Sequence, residues 1–111
     1  MSFPFGPRVD EADVTVTIAA LSDDPEAILV DVREPEEWRT GHVADARHIP
    51  MSQLPAELAS LPREAPIYLI CRSGARSHRA AAYLLAAGFE RARNVKGGMI
   101  AWERAGFPIE R

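Results

Sequence analysis

Residues 67–88 read IYLICRSGARSHRAAAYLLAAG, and this stretch gives the strongest indication of the fold class. Its first four residues are all apolar, which is typical of a short strand buried in a parallel sheet. Residues 77–87 are rich in alanine and leucine and favour a helix that Gly88 ends. Between the two lies a short polar loop that opens with Cys71. A strand joined to a helix by a short loop is the repeating unit of α/β domains.

The chain upstream of this unit repeats the same alternation. Residues 27–32 (AILVDV) form another apolar run of strand length, and residues 34–40 favour a short helix, with Pro35 in its first turn and Gly41 after its end. Residues 46–49 indicate a further short strand. The sequence therefore predicts strands and helices in alternation before the central loop.

The remaining segments continue the pattern. Leucines at helical spacing predict a helix over residues 52–61, with Ser52 as its N-cap. Residues 93–95 indicate a strand, and residues 98–105 indicate a last helix. The predicted fold class is α/β with a mainly parallel sheet, in which functional sites form at the carboxyl ends of strands.

Composition limits the possible functions. The 111 residues suffice for one domain, and residues 1–11 are expected to be a loose lead-in to it. With 13 basic and 16 acidic residues, the net charge of −3 gives no general attraction to nucleic acid or to anionic membranes. The most apolar stretch, residues 80–89, is far shorter than the roughly 20 residues that span a bilayer. We expect a soluble, cytoplasmic protein, since no secretory leader opens the sequence and its one cysteine suits a reducing compartment.

The loop after the central strand has the features of a reactive thiol site. A thiolate is the reactive form of cysteine, and positive charge stabilises it. A helix starting near Ser77 would direct free N–H groups toward Cys71, and Arg72, Arg76 and Arg79 add three positive charges nearby. The alternative is a buried, unreactive cysteine.

Small residues allow this loop to form an anion-binding cradle. They let the backbone curl so that its N–H groups point inward. Arg72 could attract an anionic substrate, although it could equally be a solvated surface arginine. The expected substrate-binding residues are Arg72, Ser73, Gly74, Ala75, Arg76 and Ser77.

Three segments together resemble the rhodanese family of sulfurtransferases. Residues 27–50 resemble its first motif, residues 71–77 (CRSGARS) its active-site loop, and residues 94–102 (NVKGGMIAW) its C-terminal motif. The three segments occur in the family's order, and the match extends over residues 27–108. The resemblance implies a rhodanese-like, three-layer α/β/α domain with a roughly five-stranded, mainly parallel sheet.

The same resemblance implies a thiosulfate sulfurtransferase activity. Cys71 would accept sulfane sulfur from a donor such as thiosulfate, hold it as a persulfide, and pass it to a thiol or cyanide-like acceptor. The expected partners are these small molecules, and a protein donor or acceptor remains open. No cofactor is expected. No metal is expected either, because no common zinc motif matches the spacing of His42, His48 and His78.

Supporting roles follow from position. Glu37 matches a family position that faces the active-site loop, so we expect it to anchor Arg76. The alternative is that Glu37 is a solvated carboxylate on the helix surface. Asp31 and Arg33 flank the end of a buried strand and are expected to form a structural ion pair or loop anchor.

The N-terminal region gives conflicting signals. Val14, Val16 and Ile18 alternate with threonines, which by itself predicts a strand. The family instead has a short strand followed by a helix across residues 14–22. We follow the resemblance here.

Two other functions share this fold. A non-catalytic binding module is one, but such modules typically lack the loop cysteine that this chain retains. A small phosphatase or arsenate reductase is the other. Those enzymes place one more residue between the cysteine and the arginine than the four that separate Cys71 from Arg76. The shorter loop favours a terminal sulfur over a tetrahedral phosphate.

Overall fold

A computed structural model of the chain describes residues 8–111. Within this range, five strands form one parallel sheet: β1 (Asp10–Ala12), β2 (Ile28–Asp31), β3 (Arg47–His48), β4 (Ile67–Ile70) and β5 (Ala92–Val95). Their order in the sheet is β1-β5-β4-β2-β3, so β4 is the central strand and β1 and β3 are the edges. The prediction of a roughly five-stranded parallel sheet is confirmed.

Helices cover both faces of the sheet. The described residues include five α-helices: α1 (Val14–Asp23), α2 (Pro35–Thr40), α3 (Leu54–Glu57), α4 (Ala75–Ala86) and α5 (Gly98–Arg104). Successive residues of β4 point to opposite faces, as strand geometry requires. Leu69 belongs to a hydrophobic cluster with Leu84 of α4, whereas Ile70 belongs to a second cluster with Trp102 of α5. These two cores confirm the predicted three-layer arrangement.

The central strand explains why the site lies where it does. All four residues of β4 are buried, which matches their continuous apolar sequence. In the neighbouring strand β2, Asp31 pairs with Ile70, and the amide of Val32 donates to the Ile70 carbonyl at 3.0 Å. The segments that begin at residues 31 and 71 therefore leave the sheet side by side at its carboxyl edge.

The strand suggested by alternation at residues 14–18 is wrong, and the resemblance gave the right element. Asp13 caps α1 by accepting a hydrogen bond from the Val16 amide at 2.8 Å. Val14 and Thr17 are buried whereas Val16 is exposed, which is a helical and not a two-residue period. The capping side chain and tertiary packing outweigh the strand preference of β-branched residues.

The expected lead-in at residues 1–11 is tested only in part. Residues 1–7 lie outside the described residues. Asp10 and Glu11 belong to β1, so the prediction is wrong for them. Because Glu11 pairs in register with Asn94 of β5, this edge strand reaches the polar interior behind the cysteine loop.

The single helix predicted over residues 52–61 is wrong in its limits. The segment consists of a 3-10 turn (Met51–Gln53), the short α3 and a second 3-10 turn (Leu58–Ser60), and Ser52 caps nothing. Pro55 has no N–H to donate to the Met51 carbonyl, which accepts from the Leu54 amide instead. Proline thus explains the tighter first turn.

Helix α4 begins two residues earlier than the predicted start near Ser77. Gly74 is its N-cap and has a φ of +105°, a backbone conformation that favours glycine. The chain therefore enters the helix almost directly after Ser73. Ala75, Arg76 and Ser77 form the first helical turn, so the loop is shorter than the sequence indicated.

Candidate active site

The sulfur of Cys71 lies at the base of the loop between β4 and α4. Cys71 is buried, with 1% of its surface exposed. The backbone N–H of Gly74 lies 3.1 Å from Sγ, and the Ser77 hydroxyl oxygen lies 3.3 Å from it. The sulfur is thus held between a loop amide and a side chain of the first turn of α4.

These donors control the ionisation of the thiol. Burial raises the pKa of Cys71, since it disfavours the charged form. Hydrogen bonds from the Ser77 hydroxyl and from the backbone N–H groups of Ser77, Gly74 and Ser73 oppose this effect, and the pKa falls below its ordinary value. The geometry therefore favours a thiolate more than a buried apolar site would.

Helix α5 supports the loop from behind. The amide of Met99 donates to the Cys71 carbonyl at 2.8 Å, and the amide of Ile100 donates to the Arg72 carbonyl at 3.1 Å. Gly98 has a φ of +57°, and a Cβ there would lie 2.6 Å from the Arg72 carbonyl oxygen and closer still to that of Cys71. The Gly97-Gly98 pair of the sequence therefore does more than make a turn, because it allows α5 to dock directly on the loop backbone.

Arg76 and Glu37 form a bidentate ion pair. Nη1 of Arg76 donates to Oε1 at 2.7 Å, and Nη2 donates to Oε2 at 2.8 Å. The hydrogen bonds from Arg76 hold the pKa of Glu37 at about 2, and the same contact raises the pKa of Arg76. Both terminal nitrogens of the Arg76 guanidinium are therefore occupied by Glu37 of α2, although the group remains close to Cys71.

A buried ion pair fixes α2 in turn. Arg33 donates from Nε and Nη2 to Asp31, with a shortest distance of 2.8 Å. Its guanidinium also donates to the carbonyls of Glu37, at 3.2 Å, and of Gly41, at 2.7 Å. Asp31 and Arg33 thus attach the helix that carries Glu37 to the end of β2.

Arg72 differs from Arg76 in its surroundings. It is exposed, and its guanidinium has no hydrogen-bond or ion-pair partner among residues 8–111. It lines an open cavity of about 420 Å³ together with Glu36, Glu37 and Glu103. Of the two loop arginines, Arg72 is the one whose charge is available to a ligand.

The six residues expected to bind substrate have different environments. Arg72, Ser73 and Ala75 are exposed, Gly74 and Arg76 are half-buried, and Ser77 is fully buried. The structure therefore leaves the first three accessible from solvent and encloses Ser77 beside the sulfur, at 3.3 Å.

Sequence reasoning missed two residues of the site. The Ser77 hydroxyl lies 2.6 Å from Oδ1 of Asn94, and Nδ2 of Asn94 donates to Glu11 at 2.6 Å. Asn94 is 2% exposed. An amide side chain within the last predicted strand was the available signal for Asn94, because buried polar groups need partners. Nothing in the sequence indicated Glu11.

Two of the three histidines, His42 and His48, have partners other than a metal. Trp38 stacks between His42 and His48, with ring centroids 3.7 Å and 4.6 Å apart. Their ring nitrogens bond to the carbonyls of Trp38 and Arg33, each at 2.8 Å. Residues 8–111 contain no group of three or more His, Cys, Asp or Glu arranged to hold a metal.

A second cavity, of about 500 Å³, lies away from the cysteine. It is lined by residues of α1, β2, α5 and the segment leading to β3, with Ile18, Leu29 and Trp102 among them, and by none of the expected site residues. Within the part of the chain described, no helix has both the length and the apolar character needed to cross a membrane.

Comparison with known proteins points to one family. Residues 15–105 match the family described as the rhodanese-like domain. The chain is 41% identical over 101 residues to a sulfurtransferase of Allochromatium vinosum, a match that covers 91% of this chain and 94% of that protein. It is 34% identical over 91 residues to the thiosulfate sulfurtransferase GlpE of Vibrio cholerae, covering 82% of this chain and 86% of that protein. The crystal structure of a rhodanese-like domain protein from Staphylococcus aureus superposes with a TM-score of 0.82 at 33% identity, covering 93% of this chain and all of that one.

Proposed function

The chain belongs to the rhodanese-like domain family, and we propose that it transfers sulfane sulfur through a persulfide on Cys71. One observation carries this proposal. The sulfur of the only cysteine lies at the base of a cradle formed by the Gly74 amide and the first turn of α4. Such a cradle stabilises a sulfur anion, because helix N-termini and free N–H groups favour negative charge.

In the first step, the Cys71 thiolate attacks the sulfane sulfur of thiosulfate. A bond forms between Sγ and that sulfur while the sulfur–sulfur bond of thiosulfate breaks. The bonding pair leaves with sulfite, and the enzyme holds a persulfide whose outer sulfur carries the negative charge. The Gly74 amide, 3.1 Å from Sγ, and the free N–H groups of the first turn of α4 stabilise this charge.

In the second step, a thiophilic acceptor removes the outer sulfur. Cyanide attacks that sulfur, forms thiocyanate, and returns the bonding pair to Sγ as a thiolate. A thiol acceptor gives a new persulfide in the same way. Because the chain has one cysteine, no second internal thiol competes for the persulfide, and the acceptor is a separate molecule.

The donor is a small anion that Arg72 attracts. Its exposed guanidinium stands at the mouth of the site, whereas that of Arg76 is bound to Glu37. Cys71 is 1% exposed, so a donor reaches it more easily with a single terminal sulfur atom than with a bulky group. Thiosulfate has both the negative charge that Arg72 attracts and a single terminal sulfur atom. A protein persulfide that inserts its outer sulfur has only the terminal sulfur. Both reactions suit the cytoplasm, where thiols stay reduced.

The competing functions of this fold have less support. A binding module has no use for a cysteine whose pKa is lowered by four surrounding hydrogen bonds. A phosphatase needs a loop that surrounds a tetrahedral phosphate, and here Gly74 closes the loop within three residues of Cys71.

Steady-state turnover with thiosulfate and cyanide tests the proposal. Wild-type protein should form thiocyanate, and Cys71→Ser protein should form none while keeping its fold, since serine is nearly isosteric with cysteine. Thiocyanate formation by pure Cys71→Ser protein would overturn the mechanism. Phosphate release from an aryl phosphate, with no thiocyanate, would favour the phosphatase.

A further inference from the structure

One hydroxyl proton lies between two acceptors at the base of the site. The oxygen of Ser77 is 2.6 Å from Oδ1 of Asn94 and 3.3 Å from Sγ of Cys71. A serine hydroxyl has a single O–H donor, so it cannot donate to both at once. All three residues are buried, and water does not readily supply the missing donor.

The orientation of the Asn94 amide is fixed by its other neighbours. Its Nδ2 donates both hydrogens, one to the carboxylate of Glu11 at 2.6 Å and one to the carbonyl of Gly74 at 3.0 Å. Both of these groups can only accept hydrogen bonds. Turning the amide over would place its oxygen against two acceptors, so Oδ1 must face Ser77.

We propose that Asn94 is a positioning residue that competes with the Cys71 thiolate for the Ser77 hydroxyl. When Cys71 is a thiol or a persulfide, the hydroxyl donates to Asn94, and a thiol can itself donate to the Ser77 oxygen. When Cys71 is a thiolate, the hydroxyl rotates to the sulfur and Asn94 Oδ1 loses its donor. The proposal deepens the proposed function, because it describes how the working thiolate is tuned.

The competition has a chemical consequence for both steps of transfer. A thiolate that receives the full hydrogen bond is a better leaving group but a weaker nucleophile, since nucleophilicity falls with thiol pKa. A partner for the hydroxyl in the loaded state keeps the buried oxygen satisfied while the outer sulfur is carried. Asn94 therefore balances attack on the donor against release to the acceptor.

The charged groups around Cys71 act on the same equilibrium. Arg72 belongs to its own loop, Arg76 lies on α4 with Glu37 of α2 behind it, and Glu11 of β1 lies behind Asn94. Helix α5 contributes backbone N–H groups to the loop carbonyls, and its Glu103 lines the cavity beside Arg72 together with Glu36 of α2. Substitution at Asn94 changes none of these charges, which makes its effect separable from theirs.

A double-mutant cycle tests the competition. Asn94→Ala should lower the pKa of Cys71 by about one unit, because Ser77 is then free to donate to the thiolate. Ser77→Ala should raise this pKa by a similar amount, and Asn94→Ala should have no effect in the Ser77→Ala background. The readout is the pH dependence of alkylation of Cys71. The proposal is overturned if Asn94→Ala shifts the pKa of Cys71 equally in both backgrounds. It is also overturned if Asn94→Ala causes no shift in the wild-type background.

A measurement on wild-type protein keeps the test independent of whether the Asn94 variant folds. The side-chain carbonyl carbon of Asn94 should shift in NMR spectra as Cys71 ionises, and this shift should vanish in Ser77→Ala protein. A static Asn94 resonance across the titration contradicts the competition. The titration needs no substrate, so a protein that fails to form thiocyanate would refute the proposed function and leave this result interpretable.

Two substitutions at Glu11 provide graded controls. Glu11→Gln keeps a side-chain acceptor for Nδ2, and Glu11→Ala removes one of the two groups that fix the amide. Because the Gly74 carbonyl still fixes it, Glu11→Ala should change the pKa of Cys71 less than Asn94→Ala does. An effect of Glu11→Ala as large as that of Asn94→Ala, absent in Glu11→Gln, would show that Glu11 and not Asn94 is the controlling residue.

Discussion

Arg76 and Glu37 lie 39 residues apart in the chain, yet two parallel hydrogen bonds of 2.7 Å and 2.8 Å join their side chains. The pair connects the first turn of α4 to α2, which Arg33 in turn holds to the end of β2. The guanidinium thereby supports the sulfur site through its position, while its charge is largely neutralised by Glu37.

Glu37→Gln should lower the free energy of unfolding by about 1 kcal/mol at pH 7, because a half-exposed ion pair of good geometry contributes about that much. The folded-state pKa of Glu37 is about 2, below its ordinary value of 4.5. The stabilisation is therefore complete above pH 4.5 and is lost as the pH falls toward 2. Urea unfolding of both proteins across this range measures it, with the exposed Glu36→Gln as control. A difference that persists unchanged at pH 2 would contradict the pairing.

Gly98→Ala should destabilise the protein and reduce sulfur transfer together. An alanine Cβ would overlap the carbonyls of Cys71 and Arg72, and the positive φ adds strain. Gly106→Ala is the matched control, since Gly106 also has a positive φ, +76°, but a Cβ at that position would meet no atom within 4 Å. Thermal unfolding and thiocyanate formation should both be affected much more by Gly98→Ala. Equal effects of the two changes would show that backbone strain alone is responsible.

Arg72→Ala should raise the KM for thiosulfate about fivefold with a smaller change in kcat, the effect of one exposed charge on anion binding. Added salt should shrink the difference, because it screens exposed charges. Arg79→Ala removes an exposed arginine from α4 that does not line the cavity beside Arg72, and it should leave KM nearly unchanged. Identical KM values for wild type and Arg72→Ala at low salt would remove Arg72 from donor binding.

Asp31→Ala should cost about 3–5 kcal/mol of unfolding free energy, because it leaves the buried charge of Arg33 without its carboxylate. The loss should also loosen α2, whose carbonyls Arg33 holds. Asp45→Ala removes an exposed carboxylate and should change stability by less than about 0.5 kcal/mol. A loss below about 1 kcal/mol for Asp31→Ala would show that the pair does not anchor the site.

The parts of the fold that were predictable are those encoded in short stretches. Residues 67–70 are a continuous apolar run, and the structure buries all four of them in the central strand. Proline and glycine marked the limits of α2, where Pro35 begins the helix and Gly41 follows it. By contrast, alternation at residues 14–18 was misleading, because the cap at Asp13 and packing against the sheet decide the helix.

The candidate site was predictable only where the sequence marks its chemistry. Cys71 and the arginines stood out because reactive cysteines need nearby positive charge. Asn94 and Glu11 are joined by a hydrogen bond between residues 83 positions apart, and it exists because β1 pairs with β5. No local pattern encodes that pairing, so the contact between these two side chains emerged only from the three-dimensional structure.

Intact-mass measurement of donor-treated protein shows directly whether Cys71 carries sulfur as a persulfide. Protein incubated with thiosulfate and freed of excess donor should gain the mass of one sulfur atom, located on the peptide that contains Cys71. Cyanide or reductant should remove it, and Cys71→Ser protein should never acquire it. Wild-type protein that stays at its unmodified mass with every sulfane-sulfur donor tried would contradict the account.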